Sequence, residues 1–392
     1  MTTHDLPTQE FLEVLTSVLG RIENSTIALH EPDIGTHEHK IVAECLSSGW
    51  VSSVGAFITQ FEKELSKITG AKYVVATVNG TAALHLALHS VGVKPGDEVI
   101  IPTLSFVATA NAVAHCGAIP HFADSNTETL GMDPTALRKH LAAITSKRGP
   151  DLLNTKTGRR ISAIVPMHTF GHPTQIKELV LVADEFGLPI VEDAAESLGS
   201  YVGDKHTGTF GRCGTLSFNG NKTITTGGGG AILTNDESLA ARVRHLATTA
   251  KISHDYEYVH DLTAWNYRMP NLNAALGCAQ LDRLAEFLKH KRNLAHKYDE
   301  ALKDAKFLKF VSEPRGTTSN YWLNTVRLVV PNLQTRNELL TGARSRGYLC
   351  RPAWNLLHQL PMYEQSPRAE LPVAQLLVDS LINVPSSANL GL

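Results

Sequence analysis

The sequence predicts an α/β fold with a mostly parallel central sheet flanked by helices, followed by a smaller C-terminal α+β unit. Three observations predict it. Between Phe57 and about Thr248, segments with helical periodicity alternate with short apolar runs of strand length. Those runs are apolar on both faces, as strands between two helix layers are. After Pro270 the texture changes to a long helical stretch and then to a mixed segment. A chain of 392 residues is too long for one small core, so two domains are expected, 1–270 with an N-terminal extension and 271–392.

The elements follow in order. FITQFEKELSKITG, from Phe57, carries an amphipathic pattern closed by Gly70. Strand-like runs come next at YVVATV, DEVIIP, IPHFA, ISAIVP and LPIVED, with a helical segment, PTQIKELVLVADEFG, between the last two. In such a sheet the polar residues just past a strand's C-terminal end reach the ligand crevice, which singles out Asn79, Thr103, His168 and Asp193. NLNAALGCAQLDRLAEFLKHKRNLAHKYDEALKDA reads as long helix, LNTVRLVV as strand and TRNELLTGARSRG as helix.

Composition removes several function classes. The formal net charge is −2 and the basic residues are scattered, so neither nucleic acid nor an anionic membrane is expected as a partner. The five cysteines stand far apart without a CxxC, which argues against a disulfide framework and a zinc site; no metal is expected. The opening MTTHDLPTQEFLEVL lacks a basic and an apolar signal region, and no run of membrane-spanning length follows. A cytoplasmic protein is expected.

Four constellations carry chemistry. In SFNGNKTITTGGGG, Lys222 follows a strand-like CGTLSF among hydroxyl and glycine residues. A lysine there reads as a solvated charge, a phosphate contact or a Schiff-base nucleophile toward an aldehyde. The glycine run serves as a phosphate cradle or simply permits a tight turn; no GxxxxGK[ST] is present. In VEDAAESLGS, Asp193 ends an apolar run and Glu196 follows three residues on; Asp193 reads as a helix cap or as the carboxylate that keeps a pyridine nitrogen protonated. In TVNGTAALHLAL, Gly80, Thr81 and Ala82 open an apolar-periodic helix, an anion site or a plain cap. In PTLSFVATANAVAHCG, Phe106 belongs to the core or stacks on a planar ring. An aldehyde-reactive amine, an acid for a ring nitrogen, a phosphate pocket and a stacking face are together what pyridoxal 5′-phosphate (PLP) requires.

At these residues the chain resembles the DegT/DnrJ/StrS family of fold type I, PLP-dependent nucleotide-sugar aminotransferases, from about Glu31 to the C-terminus. NGTAAL, IPTLSFVATANAV, PMHTFG, VEDAAESLG, LSFNGNKTITTGGGG and WNYRMPNLNAALGCAQLDRL carry the likeness in order. The resemblance implies that Lys222 bonds to the cofactor and later moves protons. It also implies that Asp193 pairs with the pyridine nitrogen, Glu196 lies near the phenolic oxygen and Phe106 stacks on the ring. Gly80, Thr81, Ala82 and Ser217 form the phosphate end, and Asn266 in WNYRM reaches the phosphate of the neighbouring subunit, making a homodimer with shared sites.

Within the family, NKTITTGGGGAILTND and the N-terminal extension look most like the subgroup that aminates C4 of UDP-linked 4-keto-6-deoxy-N-acetylhexosamines with L-glutamate, in bacillosamine or legionaminic acid biosynthesis. Substrate-facing candidates are Ser53 in SGWVSSVGAF, and Trp354 and His358 in RPAWNLLH, against ordinary domain packing. His168 reads as a lining residue or as a hydrogen-bonded structural histidine. GDP- or dTDP-linked keto sugars are the alternative substrates. A PLP-dependent sugar dehydratase of the same fold replaces the lysine by histidine, whereas Lys222 is kept here; a non-catalytic nucleotide-binding module is the remaining rival.

Overall fold

The computed structural model describes residues 5–23 and 25–392; the first four residues of the extension and of the opening segment read above lie outside it. The helices are α1 (Asp5–Leu19), α2 (Thr36–Ser48), α3 (Ala56–Thr69), α4 (Gly80–Ser90), α5 (Val107–His115), α6 (Pro134–Ile144), α7 (Ile176–Phe186), α8 (Glu237–Ala247), α9 (Asn271–Asp282), α10 (Leu284–Ala301), α11 (Leu333–Ser345) and α12 (Pro372–Val378).

The central sheet uses β1 (Tyr73–Thr77), β2 (Glu98–Pro102), β3 (Ile119–Ala123), β4 (Thr145–Arg148), β5 (Asp151–Asn154), β6 (Arg160–Ile164), β7 (Val191–Asp193), β8 (Cys213–Ser217) and β9 (Gly230–Thr234). Two ladders, β3-β2-β6-β5-β4 and β1-β9-β8-β7, are joined by parallel bridges from Ile164 to Ile190 and from Met167 to Asp193. β2 pairs in parallel with β3 and β6, and β7 with β8. β9 runs antiparallel to both β1 and β8. All five strand-like runs of the sequence become strands. The antiparallel β9 escaped the sequence reading because its glycine-rich start looks like loop alone.

The glycines at that start are there for close approach. Only Gly227 of the run has a left-handed backbone, at φ 76°. A Cβ on Gly230 would lie 2.5 Å from the Asn79 carbonyl carbon. β9 therefore packs directly on the turn that starts α4.

The expected boundary at residue 270 is corrected by the packing. α9 buries Ala274 and Cys278 with Phe61, Leu216 and Phe218 of the large domain, while Leu294 and Tyr298, farther along α10, share a core with Phe11 and Leu15 of α1. The core thus changes inside α10, and α1 packs with the C-terminal elements instead of the first domain. The long helical stretch also breaks at Arg283. A sequence of uniform helical texture does not reveal which core each turn faces. The C-terminal sheet is antiparallel: β10 (Leu308–Phe310), β11 (Asn324–Leu328), β13 (Leu381–Val384) and β12 (Arg351–Pro352), in that spatial order. Among the described residues no helix is long and apolar enough to cross a membrane.

Candidate active site

Lys222 lies in the loop between β8 and β9. Phe218, fully buried and edge-on to Phe61 at 5.1 Å, anchors the loop by donating its N–H to Gly229 and accepting from Thr226 N–H at its carbonyl. The Lys222 side chain is 13% exposed, with Nζ 3.3 Å from Glu196 Oε1 and 3.9 Å from the centre of the Trp322 ring. Indole face and carboxylate together hold an ammonium at rest while leaving it a path outward.

Glu196 is buried. Its Oε2 accepts the Phe170 N–H at 2.9 Å. Burial pushes its carboxyl up to about 7, against the pull of Lys222. Phe170 stands at φ 56°, a left-handed conformation that costs a non-glycine residue about 1–3 kcal/mol; that conformation aims its N–H at the acid.

Asp193, at the end of β7, is also buried. Its Oδ2 accepts from Thr109 Oγ1 at 2.7 Å and its Oδ1 from Ala195 N–H at 3.2 Å. Burial raises its pKa, while these hydrogen bonds and the Lys222 charge oppose the rise. Turns, not a helix, follow it, so helix capping is excluded as its role.

α4 begins at Gly80 with Asn79 as its cap, and Asn79 Oδ1 accepts the Ala82 N–H at 2.8 Å. The Ala82 N–H, expected at the phosphate, is thus bonded to the Asn79 side chain. The Gly80 and Thr81 N–H groups remain outside the helix ladder. A Cβ on Gly80 would come within 2.8 Å of Ser217 Cβ, so the helix start, Ser217 and β9 converge.

Phe106 is the residue before α5 and is 49% exposed. Its ring lies 6.3 Å from Trp354, which itself lies 4.8 Å from Phe170. Trp354 thus joins the site through the residue that holds Glu196. The remaining candidates make other contacts. His168 is fully buried, with Nε2 3.0 Å from Glu192 and Nδ1 accepting from Thr174 N–H, the hydrogen-bonded structural histidine of its two readings. His358 Nδ1 is 2.7 Å from the Thr103 hydroxyl. Ser53 lines a separate cleft of about 640 Å³ with Trp50 and Ile58. Asn266 is exposed and bridges Thr248 through backbone.

Trp322, Asn320, Thr109 and Phe170 escaped the sequence reading. Asn320 Nδ2 donates to the Glu196 and Leu198 carbonyls, both at 2.9 Å, and its Oδ1 accepts from Trp322 N–H. Trp322 Nε1 donates to the Asn221 carbonyl at 2.6 Å. A short polar-aromatic cluster, SNYW, ahead of a strand was the one available signal.

The chain from residue 32 to 392 matches the model of the DegT/DnrJ/EryC1/StrS aminotransferase family. It belongs to that family. The GDP-perosamine synthase of Vibrio cholerae is 35% identical over 361 residues, covering 92% of this chain and 94% of the relative. The aminotransferase TlmJ from Streptoalloteichus hindustanus superposes with a TM-score of 0.83 at 30% identity, over 92% and 94% of the two chains. A sugar-aminotransferase homologue from Streptococcus pneumoniae, solved in its PLP form, gives a TM-score of 0.82 at 25% identity, over 92% and 93%. The protein is a fold type I, PLP-dependent aminotransferase.

The residues present fit that cofactor. Two buried acids, Asp193 and Glu196, face one ammonium, and buried charge needs a counter-charge. A protonated pyridine nitrogen held against Asp193 would supply it. At the other end, free helix N–H groups and the Ser217 hydroxyl offer what a phosphate requires.

Proposed function

We propose that this aminotransferase moves the amino group of L-glutamate to C4 of a nucleotide-linked 4-keto-6-deoxy sugar, UDP-2-acetamido-2,6-dideoxy-4-ketohexose, as a homodimer with shared active sites. The observation that carries the amine transfer is the Lys222 ammonium held between Glu196 and Trp322 beside the buried Asp193. Bound PLP supplies an electron-withdrawing ring that acidifies the α-proton of an amino acid and keeps its nitrogen for transfer.

The chain's own residues do the rest. Lys222 Nζ anchors the cofactor, takes the donor's α-proton and returns a proton at C4 of the sugar. Asp193 keeps the ring nitrogen protonated, and Thr109 orients that carboxylate through its 2.7 Å hydrogen bond. Glu196 stands at the phenolic oxygen, Thr81 and Ser217 at the phosphate, and Phe106 against the ring, with Trp354 continuing the aromatic wall toward the sugar.

Subunit sharing rests on Asn266, exposed in a loop whose surroundings present Tyr256 and Tyr258, 81% and 83% exposed. An Asn266→Ala chain mixed with a Lys222→Ala chain should regain activity that neither homodimer has, because one mixed site then carries both residues. The five free thiols suit a reducing cytoplasm.

A GDP-linked keto sugar is the second reading, favoured by the Vibrio cholerae relative. Purified holoenzyme should absorb in the visible and bleach with L-glutamate. A panel of UDP-, GDP- and dTDP-4-keto-6-deoxy sugars then identifies the acceptor by return of colour. Colour restored by the GDP sugar alone replaces the UDP assignment, and no bleaching by any amino acid rejects amine transfer.

A further inference from the structure

His30 lies on the segment that leads into α2, and no part of the chemistry above uses it. Its Nε2 is 2.9 Å from Lys291 Nζ. Lys291 is fully buried in α10, and its Nζ also donates to the Ser386 carbonyl at 2.6 Å and the Trp322 carbonyl at 3.1 Å. Two carbonyls only accept, so two of the three ammonium N–H groups are committed. The third then points at Nε2, which must be the bare nitrogen of the ring. The ring proton consequently sits on Nδ1, and Nδ1 is buried without a hydrogen-bond partner among the described residues. An unpaired buried donor costs about 1–3 kcal/mol, a cost that an acceptor on a bound molecule removes.

The surroundings connect the ring to the Lys222 site. Lys291 grips the carbonyl of Trp322, whose indole covers the Lys222 ammonium at 3.9 Å. The preceding residue, Leu29, packs on the cluster that contains Trp322 and Phe170 and also receives Trp354. His30 itself is partly exposed. Burial, then the Lys291 charge, then the Lys222 charge hold it well below its usual pKa, so it stays a neutral imidazole within the field of Lys222. Burial also brings Lys291 down to about 7, so the arrangement with the proton on Nδ1 belongs to the acid side of neutrality.

We propose that His30 is a positioning residue for the amino donor, giving its Nδ1–H to the donor's carboxylate. This rests on the amine-transfer reading above. An anion is preferred to a sugar hydroxyl because the Lys291 ammonium directly behind the ring polarises the N–H outward, and charge-assisted bonds in a low-dielectric site are about twice as strong as neutral ones. The need is also clear from charge. Asp193 and Glu196 beside Lys222 offer a carboxylate no attraction, so the donor requires a dedicated partner other than them.

The test is equilibrium binding of glutarate, an unreactive dicarboxylate, to holoenzyme at pH 6.5, where Lys291 is charged, alongside the glutamate concentration that half-saturates bleaching. His30→Ala should weaken both about 10- to 100-fold, as expected for loss of a hydrogen bond to a charged group. His30→Asn, which places an amide N–H near the position of Nδ1, should recover part of the loss. Half-saturation by the keto sugar in the return half-reaction should move less than threefold. Glutarate and glutamate binding unchanged in His30→Ala, or donor and sugar weakened alike with no recovery in His30→Asn, overturns the proposal. The binding arm does not depend on turnover, so it stands apart from the amine-transfer reading, which fails on its own if wild-type holoenzyme binds glutarate yet no amino acid bleaches it.

Discussion

Trp322 lays its indole ring over the Lys222 ammonium at 3.9 Å while its Nε1–H holds the carbonyl of Asn221, one residue before that lysine. One side chain therefore fixes both the charge and the backbone of the reactive loop. Removing it should be felt twice. Trp322→Ala is expected to cost about 3–5 kcal/mol of stability, typical for a buried tryptophan, and to lower PLP occupancy. Trp322→Phe keeps a ring face but leaves the Asn221 carbonyl unpaired. Its loss should be smaller, about 1–3 kcal/mol. Urea midpoints and visible absorbance of the two variants check this, and equal effects would show that the hydrogen bond, not the ring, matters.

Asp193 and Thr109 form a graded pair. Asp193→Ala removes the group facing the ring nitrogen and should lower turnover by at least about a hundredfold, the scale of losing one electrostatic partner of a transition state, while the cofactor stays covalently attached at Lys222. Thr109→Val keeps the volume but deletes the 2.7 Å hydrogen bond, and should cost about tenfold, close to 1.4 kcal/mol. Borohydride trapping followed by peptide mapping reads attachment separately from rate. Full turnover in Asp193→Ala would dismiss its assigned role.

Gly80 and Gly230 let α4, β8 and β9 converge. A Cβ at Gly230 would sit 2.5 Å from Asn79 and one at Gly80 would sit 2.8 Å from Ser217 Cβ, inside the distances real Cβ atoms adopt. Gly230→Ala should push the start of α4 away from Ser217. The expected result is PLP affinity weakened more than tenfold, together with about 1–3 kcal/mol of lost stability from overpacking. Gly228 has room for a Cβ, with its nearest neighbour at 4.0 Å; Gly228→Ala is the control and should bind PLP normally.

Acid should destabilise the apoprotein. Burial holds His85, His140, His172 and His206 down to about 4 each, from an ordinary 6.5. Their folded pKa values are lower than the unfolded ones, so between pH 6.5 and 4 the unfolded chain binds protons that the folded chain refuses, and stability falls as pH drops through that window. Glu196 works in the other sense. Its carboxyl is raised to about 7, so it adds stability below neutrality, as Asp193, also raised, does to its own extent. Four histidines against two acids leave a net loss, and the urea midpoint at pH 5 should lie below that at pH 7.5. A midpoint that rises on acidification would reverse the balance.

Much of the site was legible because it sits at strand ends and turns, where local sequence and position in the sheet coincide. Lys222, Asp193, Glu196, Ser217, Gly80 and Phe106 all belong to short segments of odd composition, an apolar run then charge or glycine, which mark them as candidates beside their structural readings. At Ala82 the sequence is silent, because a helix start looks the same whether its third N–H is free or capped by Asn79. His168 had two readings, lining residue or structural histidine, and the structure favours the second, since both its nitrogens are engaged inside the core.

The sequence by itself determined the alternation of strands and helices and singled out Lys222, Asp193 and Glu196 as candidates, since each lies in a short segment governed by local periodicity and burial. Only the tertiary structure decided that Trp322 and Asn320 reach back about a hundred residues to Lys222 and Glu196, that α1 belongs with the C-terminal core, and that Lys291 dictates which nitrogen of His30 carries the proton. Those relationships depend on which surfaces meet when separate elements pack, and contacts between distant segments leave no periodic trace in the chain that makes them.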